Sequence, residues 1–196
     1  MSELKKRITR PVADFIAHAG LDAENAAKFS PQQSAADALA SLIKAGALED
    51  ALKLIAHALP KRESVWWACT CSRAVLGTAP SGDEGHAIKA AEAWVYDPTD
   101  DNARAAYGWA EKLGFKTPGG WAAVAAFWSS GTLSPPDQPV VPPAPYLTGV
   151  AVTGAVMLAA VVDPVSEIAA RHQRFLDYGI EIASGGDARA AGGVPR

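Results

Sequence analysis

The sequence predicts an all-α protein of about eight helices, packed as antiparallel hairpins in a bundle or a solenoid-like stack, with an extended proline-rich strap. Three observations carry this prediction. Apolar residues recur at spacings of three and four along much of the chain, serine or threonine stands before proline where such stretches begin, and alternating β-branched runs are scarce. Alanine, which loses no side-chain entropy in a helix, dominates the apolar half of the composition, as in Ala35-Ala36, Ala122-Ala123, Ala125-Ala126 and Ala159-Ala160.

The elements follow in order. Ser30-Pro31 reads as an N-cap with proline in the first helical position, followed by a stripe of Ala36, Leu39, Ala40 and Ile43 that stops at Gly46. The next helix carries Leu48, Ala51, Leu52, Ile55 and Leu59 on one face, with Glu49, Asp50, Lys53 and His57 assigned to the other. Pro60 restarts the chain, and the segment with Val65, Trp66, Trp67, Ala68, Cys69 and Val75 is apolar nearly all round, which predicts enclosure. Ala79 to Gly85 reads as a loop, and the helix after it presents Ala87, Ala91, Trp94 and Val95 before Asp97-Pro98 ends it. Thr99 is the predicted cap of the fifth helix, with Asp100 and Asp101 where the helix dipole favours negative charge and Gly114 as a left-handed stop.

Thr117-Pro118 repeats the cap-then-proline device ahead of a stripe of Trp121, Val124, Ala125 and Trp128. Pro135 to Pro145 holds six prolines in eleven residues and must be extended. Leu147 to Val162 is shorter than the ~20 residues that cross a bilayer, and Asp163-Pro164 closes it, so a buried core helix capped by Thr148 is expected. The last helix carries Val165, Ile168, His172, Phe175, Gly179 and Ile182, with Arg171 assigned to a solvated face and paired to Glu167. The domain organisation expected is a flexible basic N-terminus over residues 1–10, one helical domain over 11–184, and a disordered tail over 185–196.

A net charge of −3 and the lack of any Lys/Arg stripe along a helix argue against a nucleic-acid partner. Cys69 and Cys71, two apart on a helix, point away from one another and can neither pair nor share a metal; with no secretory signal, this predicts the cytoplasm. There is no glycine-rich phosphate loop and no G-x-S-x-G elbow, and His18, His57, His86 and His172 stand apart from any further ligand at metal spacing. The expectation is therefore no catalytic residue, no metal, no cofactor and no membrane insertion. Two features exceed this background. Six tryptophans suit cores and interfaces alike, and the P-x-x-P frames of Pro136, Pro139, Pro142 and Pro145 have the spacing that aromatic grooves read. No basic residue flanks those frames, so the strap is expected to lie across Trp121 and Trp128, anchored by Leu133 and Tyr146.

Val65-Trp66-Trp67-Ala68-Cys69, Ala90-Ala91-Glu92-Ala93-Trp94-Val95, Arg104-Ala105-Ala106, Trp121-Ala122-Ala123 through Phe127-Trp128, the prolines that follow, and Arg174-Phe175-Leu176 together resemble an uncharacterised bacterial family. The resemblance runs from about Leu59 to Ala183. That family is a domain of unknown function encoded in or near type VI secretion gene clusters. The resemblance implies a secretion-system component or effector as the protein partner and supplies no catalytic residues.

The functional expectation is a non-enzymatic interaction module, an adaptor or chaperone-like accessory, with Trp121, Trp128, Pro135, Pro136, Pro142, Pro143 and Tyr146 as partner-binding residues. Two alternatives stand beside it: a small-molecule or peptide sensor with an aromatic pocket, and an enzyme using Cys69 or a histidine. No feature fixes an oligomeric state.

Overall fold

The structure is a computed structural model that describes residues 8–77, 81–135 and 137–188. The chain is 67% helical, with nine α-helices and no strand among the described residues. They are α1 (Ala23–Ala26), α2 (Ala35–Lys44), α3 (Leu48–Ala58), α4 (Lys61–Leu76), α5 (Gly82–Tyr96), α6 (Asp100–Lys112), α7 (Pro118–Trp128), α8 (Leu147–Ala160) and α9 (Ile168–Ala183). Short 3-10 turns at Val12–Asp14 and Ile16–His18 precede them, and a third at Val165–Glu167 joins α8 to α9.

Helices α4 and α8 form the centre. α4 packs against α5, α7, α8 and α9, and α8 packs against α3, α4, α7 and α9. In a solenoid each unit touches only its neighbours in sequence. The return of α8 to α3 and α4 makes this a bundle. Alanine allows the close approach: Ala122, Ala123, Ala125 and Ala126 of α7 and Ala151, Ala155, Ala159 and Ala160 of α8 are all inaccessible to solvent. Larger side chains fill the wider spaces, Trp67, Phe175, Leu54 and Ile88 among them. Trp67 also donates its indole N–H to the Phe175 carbonyl at 2.9 Å, which satisfies the one polar atom it buries.

Thr99 and Thr117 cap α6 and α7 by accepting from the amides of Asn102 and Gly120, and Gly114 takes a left-handed φ of +63° after α6. Other boundaries differ from expectation for local reasons. Ser30-Pro31 lies in a turn, and Ser34 caps α2 by accepting from the Asp37 amide at 3.1 Å. The segment before α2 is kept extended because the Val12 amide donates to the Gln33 carbonyl and the Ala35 amide to the Arg10 carbonyl, both at 2.9 Å. α5 begins at Gly82, inside the expected loop, with Asp83 and Glu84 in its first turn. Thr148 does not cap α8; its hydroxyl is buried against the Ser129 hydroxyl at 3.0 Å.

The folded body also reaches past residues 11–184. Ile8 is fully buried, Ala188 is fully buried, and the Trp66 indole donates to the Asp187 carbonyl at 2.6 Å. The basic residues Lys5, Lys6 and Arg7 and the tail from residue 189 lie outside the described residues.

Charged groups in the interior are paired. Arg73 donates to both carboxylate oxygens of Glu92 at 2.6 Å, joining α4 to α5. Arg171 is buried, not solvated, and donates to the carbonyl of Ala160 at the C-terminus of α8 and to those of Val162 and Asp163 in the turn that follows. Glu167 sits 4.0 Å from Arg174 instead. No single helix among the described residues is long and apolar enough to cross a membrane.

Candidate functional site

α7 is sealed on most of its circumference by alanines, and Trp121 and Trp128 occupy the one stripe left half-buried. Their rings meet edge to face, 6.2 Å apart at 78°. Trp121 donates its indole N–H to the Phe115 carbonyl at 2.9 Å and covers α8 at Gly154. Trp128 faces a shallow groove with Tyr107, Phe127, Leu133 and Pro135, and Arg104 borders it.

The strap is ordered by a device that proline content alone concealed. Thr132 Oγ1 accepts from the amides of both Ser134 and Val141, at 3.1 and 3.0 Å. The Leu133 amide donates to the Val141 carbonyl at 2.8 Å, closing the segment on itself. Arg104, held by Asp100 at 2.6 Å, donates to the Ser134 carbonyl. Thr132, Leu133 and Ser134 just ahead of the strap and Val141 within it thus form a small hydrogen-bonded clasp, in addition to the expected anchoring by side chains. Pro135 and Pro142 are exposed, Pro143 is buried, and Pro136 lies outside the described residues. Val140 and Val141 stand out on the surface at 71% and 52% exposure.

The expected partner-binding residues thus divide. Trp128 and Pro135 share the groove, while Tyr146 belongs to a different concavity. Its ring stacks on His18 at 3.8 Å and 13°, and both line a cleft of about 520 Å³ with Arg10, Phe15, His57, Lys61 and Gly149. His57, expected on a polar helix face, is buried at 5% exposure and stacks on Phe15. Burial pushes its pKa down to about 4 from 6.5, and the charges of His18 and Arg10 add to the effect. The ring lies so close to Gly149 that any Cβ there would overlap it.

Cys69 and Cys71 are both fully buried, and loss of hydration pushes each thiol well above its usual pKa; the Glu92 charge adds to this at Cys69. Burial of this kind disfavours the thiolate, the form in which a cysteine acts as a nucleophile. Among the described residues, no group of three or more His, Cys, Asp or Glu side chains is placed to hold a metal ion. Trp66, Trp67 and Trp94 are buried, and the cleft beside Tyr146 takes its aromatic lining from Phe15, His18 and Tyr146.

The arrangement defines an all-α bundle that carries, among other concavities, the Trp128 groove and the Tyr146 cleft. The chain belongs to DUF6931, a family of unknown function, whose family model matches residues 38–183. Neither a curated protein nor a solved structure matches the chain. The matched segment runs from α2 to the last residue of α9, so the strap lies inside it and the Arg10–His18 wall of the cleft lies before it.

Proposed function

We propose that the chain is a non-enzymatic protein–protein interaction module, an adaptor or chaperone-like accessory whose partner engages the outer face of the strap. The observation that carries this reading is the combination of exposure and restraint at Val140 and Val141. An apolar segment already held in one conformation loses less entropy on docking than a loose one. The neighbouring groove adds Arg104, Tyr107 and Trp128, residue types that dominate binding hot spots. The resemblance to a family encoded near type VI secretion clusters points to a component or effector of that apparatus as the partner, met in the cytoplasm.

A photo-crosslinking residue at Val140, in the tagged full chain expressed in its own host, should trap a specific partner. Val140→Ser/Val141→Ser should lose that partner while the helical dichroism spectrum stays unchanged. Undiminished capture by the double variant, or equal crosslinking from a residue at Lys44, removes the strap from the interface. A partner unrelated to secretion would sink the type VI assignment and leave the strap reading standing.

A further inference from the structure

The cleft at Phe15 and Tyr146 holds chemistry that an interaction module does not use. Its floor is His57, 5% exposed and without a hydrogen-bond partner among the described residues. The enclosed polar side-chain atoms that lack partners among the described residues are Trp94 Nε1, Thr153 Oγ1 and His172 Nε2. The imidazole nitrogens of His57 are not among these enclosed atoms, and His57 lines the cleft. A neutral imidazole carries one N–H donor and one acceptor, and leaving both unused in a buried position costs stability.

The rim is cationic. Lys61 opens α4 at the cleft edge, and Pro60, its N-cap, provides no side-chain hydrogen bond to the first-turn amides of this 16-residue helix. The positive end of the helix dipole, with the Lys61 amide, therefore stands at the cleft edge. Arg10 stands on the opposite wall. Among the described residues Asp14 is the one acidic residue in the lining, and it is engaged by Arg10 at 3.6 Å. The C-terminus of α3 also ends here, but its Ala56 carbonyl is taken by the Ser64 hydroxyl at 2.8 Å. The walls between these charges are apolar and flat: Phe15, Pro60, Pro145 and the stacked Tyr146–His18 pair.

We propose that this cleft binds a small anionic molecule, an oxyanion carried on a planar apolar body, with Lys61 (side chain and amide) and Arg10 holding the anion and His57 donating from below. The volume of about 520 Å³ is that of a small-molecule site. The inference stands apart from the strap reading. Carboxylates and phosphates share the chemistry, and the probes separate them.

Backbone and histidine-ring NMR signals of the full chain are followed during titration with benzoate, phenyl phosphate, inorganic phosphate and benzyl alcohol. Benzoate or phenyl phosphate should give saturable shifts of the Lys61 amide and the His57 Cε1–H, and the tighter of the two identifies the oxyanion source. Saturation should also raise the titration midpoint of His57, which is faced by Arg10, Asp14, His18, Lys61 and Tyr146. Lys61→Ala, an exposed position, should weaken binding roughly tenfold, as loss of one charge-assisted contact does. Lys112→Ala, whose partner Asp83 is on the surface elsewhere, should leave binding unchanged. The absence of saturable shifts at millimolar probe overturns the proposal, as does equal binding of benzyl alcohol. Undiminished affinity in Lys61→Ala overturns it too, and inorganic phosphate binding as tightly as phenyl phosphate overturns the planar body.

Discussion

His57 makes the stability of this protein acid-sensitive in a defined window. Its folded-state pKa is about 4, below the 6.5 of an unperturbed histidine. Between those values the unfolded chain binds a proton that the folded chain refuses, so stability rises with pH across the window. The contribution is complete above pH 6.5 and is lost as pH falls through 4. At about 1.4 kcal/mol per unit, the shift corresponds to about 3 kcal/mol. His57→Asn keeps a polar side chain but does not titrate, so its unfolding free energy should change with pH by that much less. Urea unfolding followed by helical dichroism, in steps from pH 7.5 to 4, measures both slopes. Carboxylates protonating at the lower end affect both proteins equally and drop out of the difference. Parallel curves for wild type and variant would show that His57 is not held neutral by its site.

Arg73→Met should destabilise by about 3–5 kcal/mol in chemical unfolding, because Glu92 is left charged in the interior, whereas Arg73→Met/Glu92→Leu should recover most of that loss. Gly149→Ala should cost about 1–3 kcal/mol or more, since the new methyl overlaps the His57 ring and α8 must move away from α3; a melting temperature equal to wild type would contradict the close approach. Thr132→Val removes the acceptor of two strap amides and should speed hydrogen exchange at Val141 while global stability falls by about 1–2 kcal/mol. Cys69 and Cys71 should react with thiol reagents only as fast as the bundle opens, and rapid labelling of the native protein at neutral pH would reopen a cysteine-based activity.

The bundle was legible because its helices announce themselves locally. Thr99, Thr117-Pro118 and Gly114 act within four residues of where they stand, so their roles survive into the structure unchanged. What depended on distant partners was not legible. Arg171 reads as a surface cation by spacing to Glu167, yet the carbonyls at the end of α8 and in the turn that follows draw it inside. His57 was placed with Glu49 and Lys53, but it also shares a face with Asp50 and Leu54 at spacings of three and seven. That face is the buried one. The strap was recognised from its prolines, while its clasp rests on Thr132, an unremarkable residue whose value depends on where Val141 returns. The cleft is not legible because one wall of it comes from residues 10–18, a stretch with no helical period, whose place is set by two backbone bonds to the entry of α2.

The alanine-lined contacts between α7 and α8 leave little freedom for drift. At Ala122, Ala126, Ala151 or Ala155, every residue except glycine is larger, and overpacking costs about 1–3 kcal/mol. Glycine is smaller but weakens the helix by about 1 kcal/mol. A change on one helix is then tolerated only with a compensating change on the other. Innovation is pushed outward, to the Trp121–Trp128 stripe, the strap tip at Val140, and the added wall at Arg10 to His18. A lineage could exchange what the bundle binds by rewriting those surfaces while the interior stays as it is.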